Sequence, residues 1–178
     1  MRIPLSKLKA ILLYFSDNTD QRYLGKVKMM KLLYYLDFTH FKKYGMPVTG
    51  DTYKNLEHGP IPSTIKNLVD AVESEPENAL LSDVITIETA RGQNIHRVVG
   101  KRHFTVEDAK LFSDSELDII KEISRRFKSV NTETIEAQSH NEAPWKLTKL
   151  LDTIPYELAT KDPDSEISKE ELYLLSQI

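Results

Sequence analysis

The chain has 178 residues, of which 40% are hydrophobic and 29% charged, with a net charge of -3 and no cysteine. That length can bury a substantial core without covalent staples, and the balanced charge argues against a dedicated nucleic-acid or polyanion binder. Disulfides, thiolate catalysis and cysteine zinc sites are excluded. No window approaches the roughly 20 apolar residues of a membrane span, and the start Met1-Arg-Ile-Pro-Leu5 lacks a secretory leader, so a cytoplasmic protein is expected.

Pro4 suits the opening of a first helix, in which Leu5, Leu8, Leu12 and Phe15 recur at spacings of three and four before Ser16-Asp-Asn-Thr19 closes it. The second helix, Lys26 to Tyr44, has marked ends: Gly25 before it, then Gly45 with Pro47 just beyond. At about 100° per residue, Lys28, Lys31, Tyr35, Thr39 and Lys42 share one narrow stripe, while Met30, Leu33, Tyr34, Phe41 and Tyr44 crowd the opposite side. So little polar surface implies a central helix touched on most sides. Asp37 projects from the apolar side, where a carboxylate must be hydrogen-bonded, ion-paired or protonated. It is expected to act as a structural latch on the neighbouring turn that carries His58.

From Met46 to Pro60 the density of Gly and Pro reads as a structured loop with one short strand near Tyr53 to Leu56. Pro62 fits the first turn of a third helix, with Ile65, Leu68, Val69 and Val72 as its apolar stripe and an end before Pro76. Val84 to Thr89 and Ile95 to Val99 flank Arg91-Gly-Gln-Asn94, the pattern of a β-hairpin and the one clear sheet signal. Ser113 with Glu116 forms a capping box before a helix bearing Leu117, Ile120, Ile123 and Phe127, which should end near Val130. A shorter helix follows from Thr132 to about Ser139, and Pro144 suits the start of another turn. Ser168 with Glu171 caps a last helix through Leu172 and Leu175. The acidic stretch Lys161-Asp-Pro-Asp-Ser-Glu166 reads as a flexible linker. The fold expected is α+β and mainly α: a single compact helical domain with a small antiparallel β element.

The chemistry-bearing residues are sparse. Five histidines, His40, His58, His96, His103 and His140, stand singly without metal-ligand spacing, and there is no P-loop, dinucleotide fingerprint or nucleophile elbow. An enzyme would have to gather Asp37, Glu57, His58 and His140 into one cleft, with a carboxylate orienting an imidazole. The simpler reading makes Asp37 and His58 satisfied structural groups. Trp145, the one tryptophan, reads as a core anchor with its indole N–H on a carbonyl, or alternatively as a partner-binding hot spot. The basic groups Lys26, Lys28, Lys31, Lys42, Lys43 and Lys121, Arg125, Arg126, Lys128 read as solvated helix faces rather than a phosphate-binding stripe.

Lys31-Leu-Leu-Tyr-Tyr-Leu-Asp37, then Tyr44-Gly45, Thr49-Gly50, Tyr53, His58-Gly-Pro60 with Pro62, and Ser139-His140 with Ala143-Pro-Trp145 together resemble the Panacea domain, the SocA-like, phage-associated antitoxin family. The resemblance implies an antitoxin of a bacterial or phage toxin-antitoxin system, which neutralises a cognate protein toxin encoded in the adjacent gene by direct binding. It implies no enzyme, no catalytic residues, no cofactor and no metal. The signature residues it carries over, structural or partner-binding, are Lys31, Asp37, Gly50, Tyr53, His58, Gly59, Pro60, His140 and Trp145. The alternatives are a protease adaptor that delivers the toxin for degradation, with a protease as second partner, and an enzyme or nucleic-acid-processing protein using Asp37, His58 and His140. No membrane partner is expected. Many relatives carry an extra N-terminal DNA-binding domain, whereas a helix begins here near Pro4, so direct DNA binding is not expected. Residues 1–150 are expected to form the antitoxin domain, and 151–178 a C-terminal extension with a terminal helix, packed on that domain or projecting from it.

Overall fold

The computed structural model describes residues 3–89, 95–175 and 177. The chain begins with α1 (Leu5–Asn18) and α2 (Lys26–Tyr44), and α2 is the axis of the whole arrangement. Every residue from Lys28 to Lys42 is buried. The helix stops as its sequence dictates, with Gly45 at φ 72° and its N–H on the Phe41 carbonyl.

A three-stranded antiparallel sheet follows, in the order β2 (Gly59–Pro62), β1 (Tyr53–Leu56), β5 (Thr153–Ile154). Tyr53 lies opposite Pro62 on one side and Ile154 on the other. Helix α3 (Ser63–Ser74) buries Ile65, Val69 and Val72. The hairpin β3 (Ile85–Thr89) and β4 (His96–Gly100) pairs Ile85 with Gly100 and Thr89 with His96. The expected turn at 91–94 lies outside the described residues. Then come α4 (Val106–Ala109), α5 (Asp114–Phe127), α6 (Thr132–Ser139) and α7 (Ala143–Lys146). Beyond β5 lie a 3₁₀ turn (Tyr156–Lys161) and α8 (Lys169–Leu175). Both expected capping boxes form, Ser113 with Glu116 and Ser168 with Glu171. The chain is mainly helical with a small antiparallel β component, as its periodicity predicts.

Around α2 pack Leu8, Ile11, Leu12 and Phe15 of α1, Ile120, Ile123 and Phe127 of α5, and the inner face of the sheet, with α3 packed in turn on β2 and β3. The expectation of a solvated basic face on α2 is corrected by the structure. Lys28, Lys31 and Lys42 are buried, and each holds a different part of the chain. Lys28 Nζ donates to the Val130 carbonyl at 2.5 Å, and Lys31 Nζ to the Pro60 carbonyl at 2.9 Å. Lys42 pairs with Glu142 at 3.3 Å, Asp162 at 3.1 Å and Asp164 at 3.1 Å. A long aliphatic stem packs among apolar neighbours while the ammonium finds fixed acceptors, which makes a buried lysine a tether.

The segment read as a flexible linker is therefore tied down. Besides the two aspartates on Lys42, the amides of Glu166 and Ile167 both donate to the Lys42 carbonyl, at 2.9 and 3.1 Å. Asp162 also accepts from the Ala143 amide at 2.7 Å, joining this strap to α7. Replacing Lys42 leaves Glu142 and Asp162 buried without their cation. Lys42→Met is expected to cost roughly 3 kcal/mol in urea denaturation and to open residues 162–167 to limited proteolysis before the rest of the chain.

Candidate functional site

The signature residues fall into two neighbourhoods, one at each of two levels of α2. The first is built on Asp37, which has no exposed surface. Its Oδ1 accepts the Thr49 amide at 2.6 Å, and its Oδ2 accepts the Thr49 hydroxyl, the Tyr53 hydroxyl at 3.0 Å and the Tyr156 hydroxyl at 3.1 Å. Phe38 and Phe41 stack on the Tyr156 ring, with centroids 4.8 and 5.6 Å away, and close the acid off from water. Burial pushes the Asp37 carboxyl up to about 6, against the opposing pull of its hydrogen bonds from Thr49, Tyr53 and Tyr156.

Directly beyond, Gly50 adopts φ 59°, a left-handed conformation that lets the loop reverse under α2. Asp51, itself buried, then accepts the amides of Thr64 at 3.3 Å and Ile65 at 2.8 Å. It caps α3 from a distant loop, since that helix has no capping side chain of its own. Residues 49–53 are thus fastened at one end to α2 and at the other to α3.

The second neighbourhood is built on Lys31. Its ammonium, reaching the Pro60 carbonyl, lies under the β1–β2 turn. Gly59 there has φ 86°, and a Cβ on it would meet Ser139 Oγ at 2.7 Å and Lys31 Nζ at 3.0 Å, so only glycine fits. His58 Nδ1 contacts Glu136 at 3.0 Å, with the imidazole 75% exposed. His140 stacks on Trp145, ring centroids 4.0 Å apart and planes 21° from parallel. The Trp145 indole N–H donates to the Leu56 carbonyl at 3.3 Å, so the tryptophan closes the open end of the turn while remaining half-buried. Burial pulls the Lys31 ammonium down to about 7, with Glu136 opposing, and lowers His140 as well.

The structure thus differs from the sequence expectation over what Asp37 holds. Its partners are Thr49, Tyr53 and Tyr156, whereas the His58 turn is held by Lys31. Asp37, His58 and His140 have separate partners: an aromatic and hydroxyl cage, a surface glutamate and an indole face. Glu57, the fourth residue of the catalytic alternative, is exposed.

The family model described as antitoxin SocA-like, Panacea domain, matches residues 29–146. The chain belongs to this family. No curated protein and no solved structure matches it. The matched stretch of this Panacea domain opens on α2 and ends at Trp145 and Lys146, so it contains both neighbourhoods except for Tyr156, which enters from beyond it. Among the described residues no helix is long and apolar enough to cross a membrane, and no group of three or more metal-ligating side chains converges.

Several residues that build the site escaped the sequence reading: Asp51, Glu136, Tyr156 and Asp162. Each acts through a partner more than ten positions away, and no local pattern marks such a pairing.

Just past the matched stretch, beyond Trp145, the chain presents an apolar loop. Leu147, Leu150 and Leu151 are 55%, 59% and 68% exposed. Leu151 has φ 73°, the one non-glycine in the left-handed region among the described residues. Asn55 imposes this: its carbonyl accepts the Leu151 amide at 2.7 Å, and its buried side chain donates to the Thr148 carbonyl at 2.6 Å and the Trp145 carbonyl at 3.3 Å.

The low Lys31 value has a consequence for stability. An unfolded lysine keeps its proton to about 10.5, whereas folded Lys31 releases it near 7, so the unfolded state binds more protons between those limits. The contribution of Lys31 is full above the unfolded value and is lost as pH falls through the folded one. The stability of the native chain relative to Lys31→Met should therefore rise between about pH 7 and about pH 10, measured by urea denaturation at each pH. A difference independent of pH would contradict burial of the ammonium.

Proposed function

We propose that this chain is a non-enzymatic antitoxin that neutralises a cognate protein toxin by direct binding, and that the loop from Leu147 to Leu151 is its principal contact surface. Membership of the antitoxin family carries the first part of the reading. The second rests on the loop itself. Three neighbouring leucines turned to solvent cost free energy, and a bulky residue held at positive φ costs of the order of 1–3 kcal/mol more. A loop that is both apolar and strained, yet fixed by hydrogen bonds to the Asn55 carbonyl and from its side-chain amide, is preorganised. It loses little further entropy when a partner covers it. Trp145, beside it and half-exposed, supplies the aromatic anchor typical of such surfaces.

The toxin is proposed to be the product of an adjoining gene. Co-expression tests this directly: the neighbouring open reading frame should arrest growth alone, and this chain should restore growth and co-purify with its product. Leu147→Asp combined with Leu150→Asp should abolish both rescue and co-purification while leaving the thermal midpoint within a few degrees, because neither side chain packs in the core. Rescue without physical association would refute neutralisation by binding. Association unaffected by the two aspartates would move the contact surface elsewhere.

A further inference from the structure

Between the C-terminal halves of α1 and α5 lies a cleft of about 360 Å³ lined by Tyr14, Asn18, Lys121, Ser124, Arg125 and Lys128. Lys121, Arg125 and Lys128 stand at i, i+4 and i+7 of one helix face, so their three cations converge on the same opening. Among the described residues none of the three has a carboxylate within ion-pairing distance. Lys26, Lys42 and Lys43, by contrast, are all paired. Arg126, next in sequence, takes no part: it lies over the Tyr35 and Phe127 rings and donates to Gln138.

Cations in the last turn of a helix complement its dipole, and that alone accounts for basic residues at this end of α5. It does not account for Ser124. This serine is 3% exposed, lines the cleft, and its hydroxyl has no hydrogen-bond partner. A buried hydroxyl left unpaired is destabilising, and alanine at this helical position would remove the cost. A bound acceptor would satisfy it.

We propose that this cleft binds a small phosphate-bearing ligand, with Lys121, Arg125 and Lys128 taking the phosphate oxygens and the Ser124 hydroxyl donating from the cleft floor. Three cations and a neutral donor suit a multiply charged oxyanion better than a single carboxylate, and guanidinium gives two parallel donors to such a group. The volume exceeds that of a bare phosphate and falls in the range of small-molecule sites, leaving room for an organic body against the Tyr14 ring. A nucleic acid would instead require a basic track extending along the surface, and the chain as a whole carries net negative charge. This site is built from other elements than the toxin-binding loop, so the two readings stand or fall separately.

The test is calorimetric titration of the full chain at low salt with inorganic pyrophosphate and, separately, with ATP. Saturable one-site binding of pyrophosphate is expected. The Arg125→Gln, Lys128→Gln double variant should weaken it on the order of tenfold or more, with an unchanged melting temperature in the absence of ligand. Ser124→Ala should weaken binding while leaving the free protein equally or more stable, which a purely structural serine would not do. Equal affinity for the two probes identifies the phosphate as the whole determinant, and tighter ATP binding adds contacts to the organic body; either result supports the site. Failure of both probes to saturate by roughly 5 mM overturns the proposal. So does binding of a short oligonucleotide that neither probe displaces.

Discussion

The structure depends on a contradiction inside one helix: α2 is buried from Lys28 to Lys42, yet that stretch includes three lysines and an aspartate, Lys28, Lys31, Asp37 and Lys42. Charges in such surroundings are tolerated only when each is met by fixed partners. Each of these four is met by a different remote segment. Lys28 takes the end of α5, Lys31 the β1–β2 turn, Asp37 the 49–53 loop together with Tyr156, and Lys42 the strap at 162–167. Apolar burial makes α2 the centre. The charges decide which segments dock on it and in what register, because an apolar surface alone would accept several arrangements.

That division of labour bears on function. The tethered loops are presented on a support that does not need to reorganise, and the apolar loop after α7 inherits this rigidity through Asn55 in β1, which is itself paired to β2 and β5. An antitoxin that works by binding gains most from such preorganisation, since ordering a surface at the moment of contact subtracts from affinity. The antitoxin family model ends at residue 146, and the exposed leucines lie just outside it.

Much of this was legible in the sequence, for identifiable reasons. The bounds of α2 follow from Gly25, Gly45 and Pro47, and the starts of α5 and α8 from their capping boxes, all of which are local signals. The β3–β4 hairpin follows from alternation and β-branched residues. The second sheet was only half visible: β1 reads as a strand, but β2 contains Pro60 and Pro62, which local propensity counts against a strand and which are tolerated because β2 lies at the sheet edge. Two residues of β5 are too short to register at all. The buried lysines defeated the sequence reading for a different reason. Charge in a helical stripe normally means solvent, and only the tertiary partners, Val130, Pro60, Glu142 and Asp162, reveal that it does not here. Asp37 was identifiable as anomalous from its position on the apolar side, but its partners were not, since Tyr156 lies 119 residues away.

Native-state amide hydrogen exchange, compared between Asp37→Ala and Lys31→Met, tests the central claim most directly. If each buried charge is an independent anchor, Asp37→Ala should release protection at residues 49–53 and 153–161 while sparing 58–62, and Lys31→Met should do the reverse. Equal loss of protection in all three segments with either variant would mean that the charges stabilise the core as a whole and do not select how its segments dock.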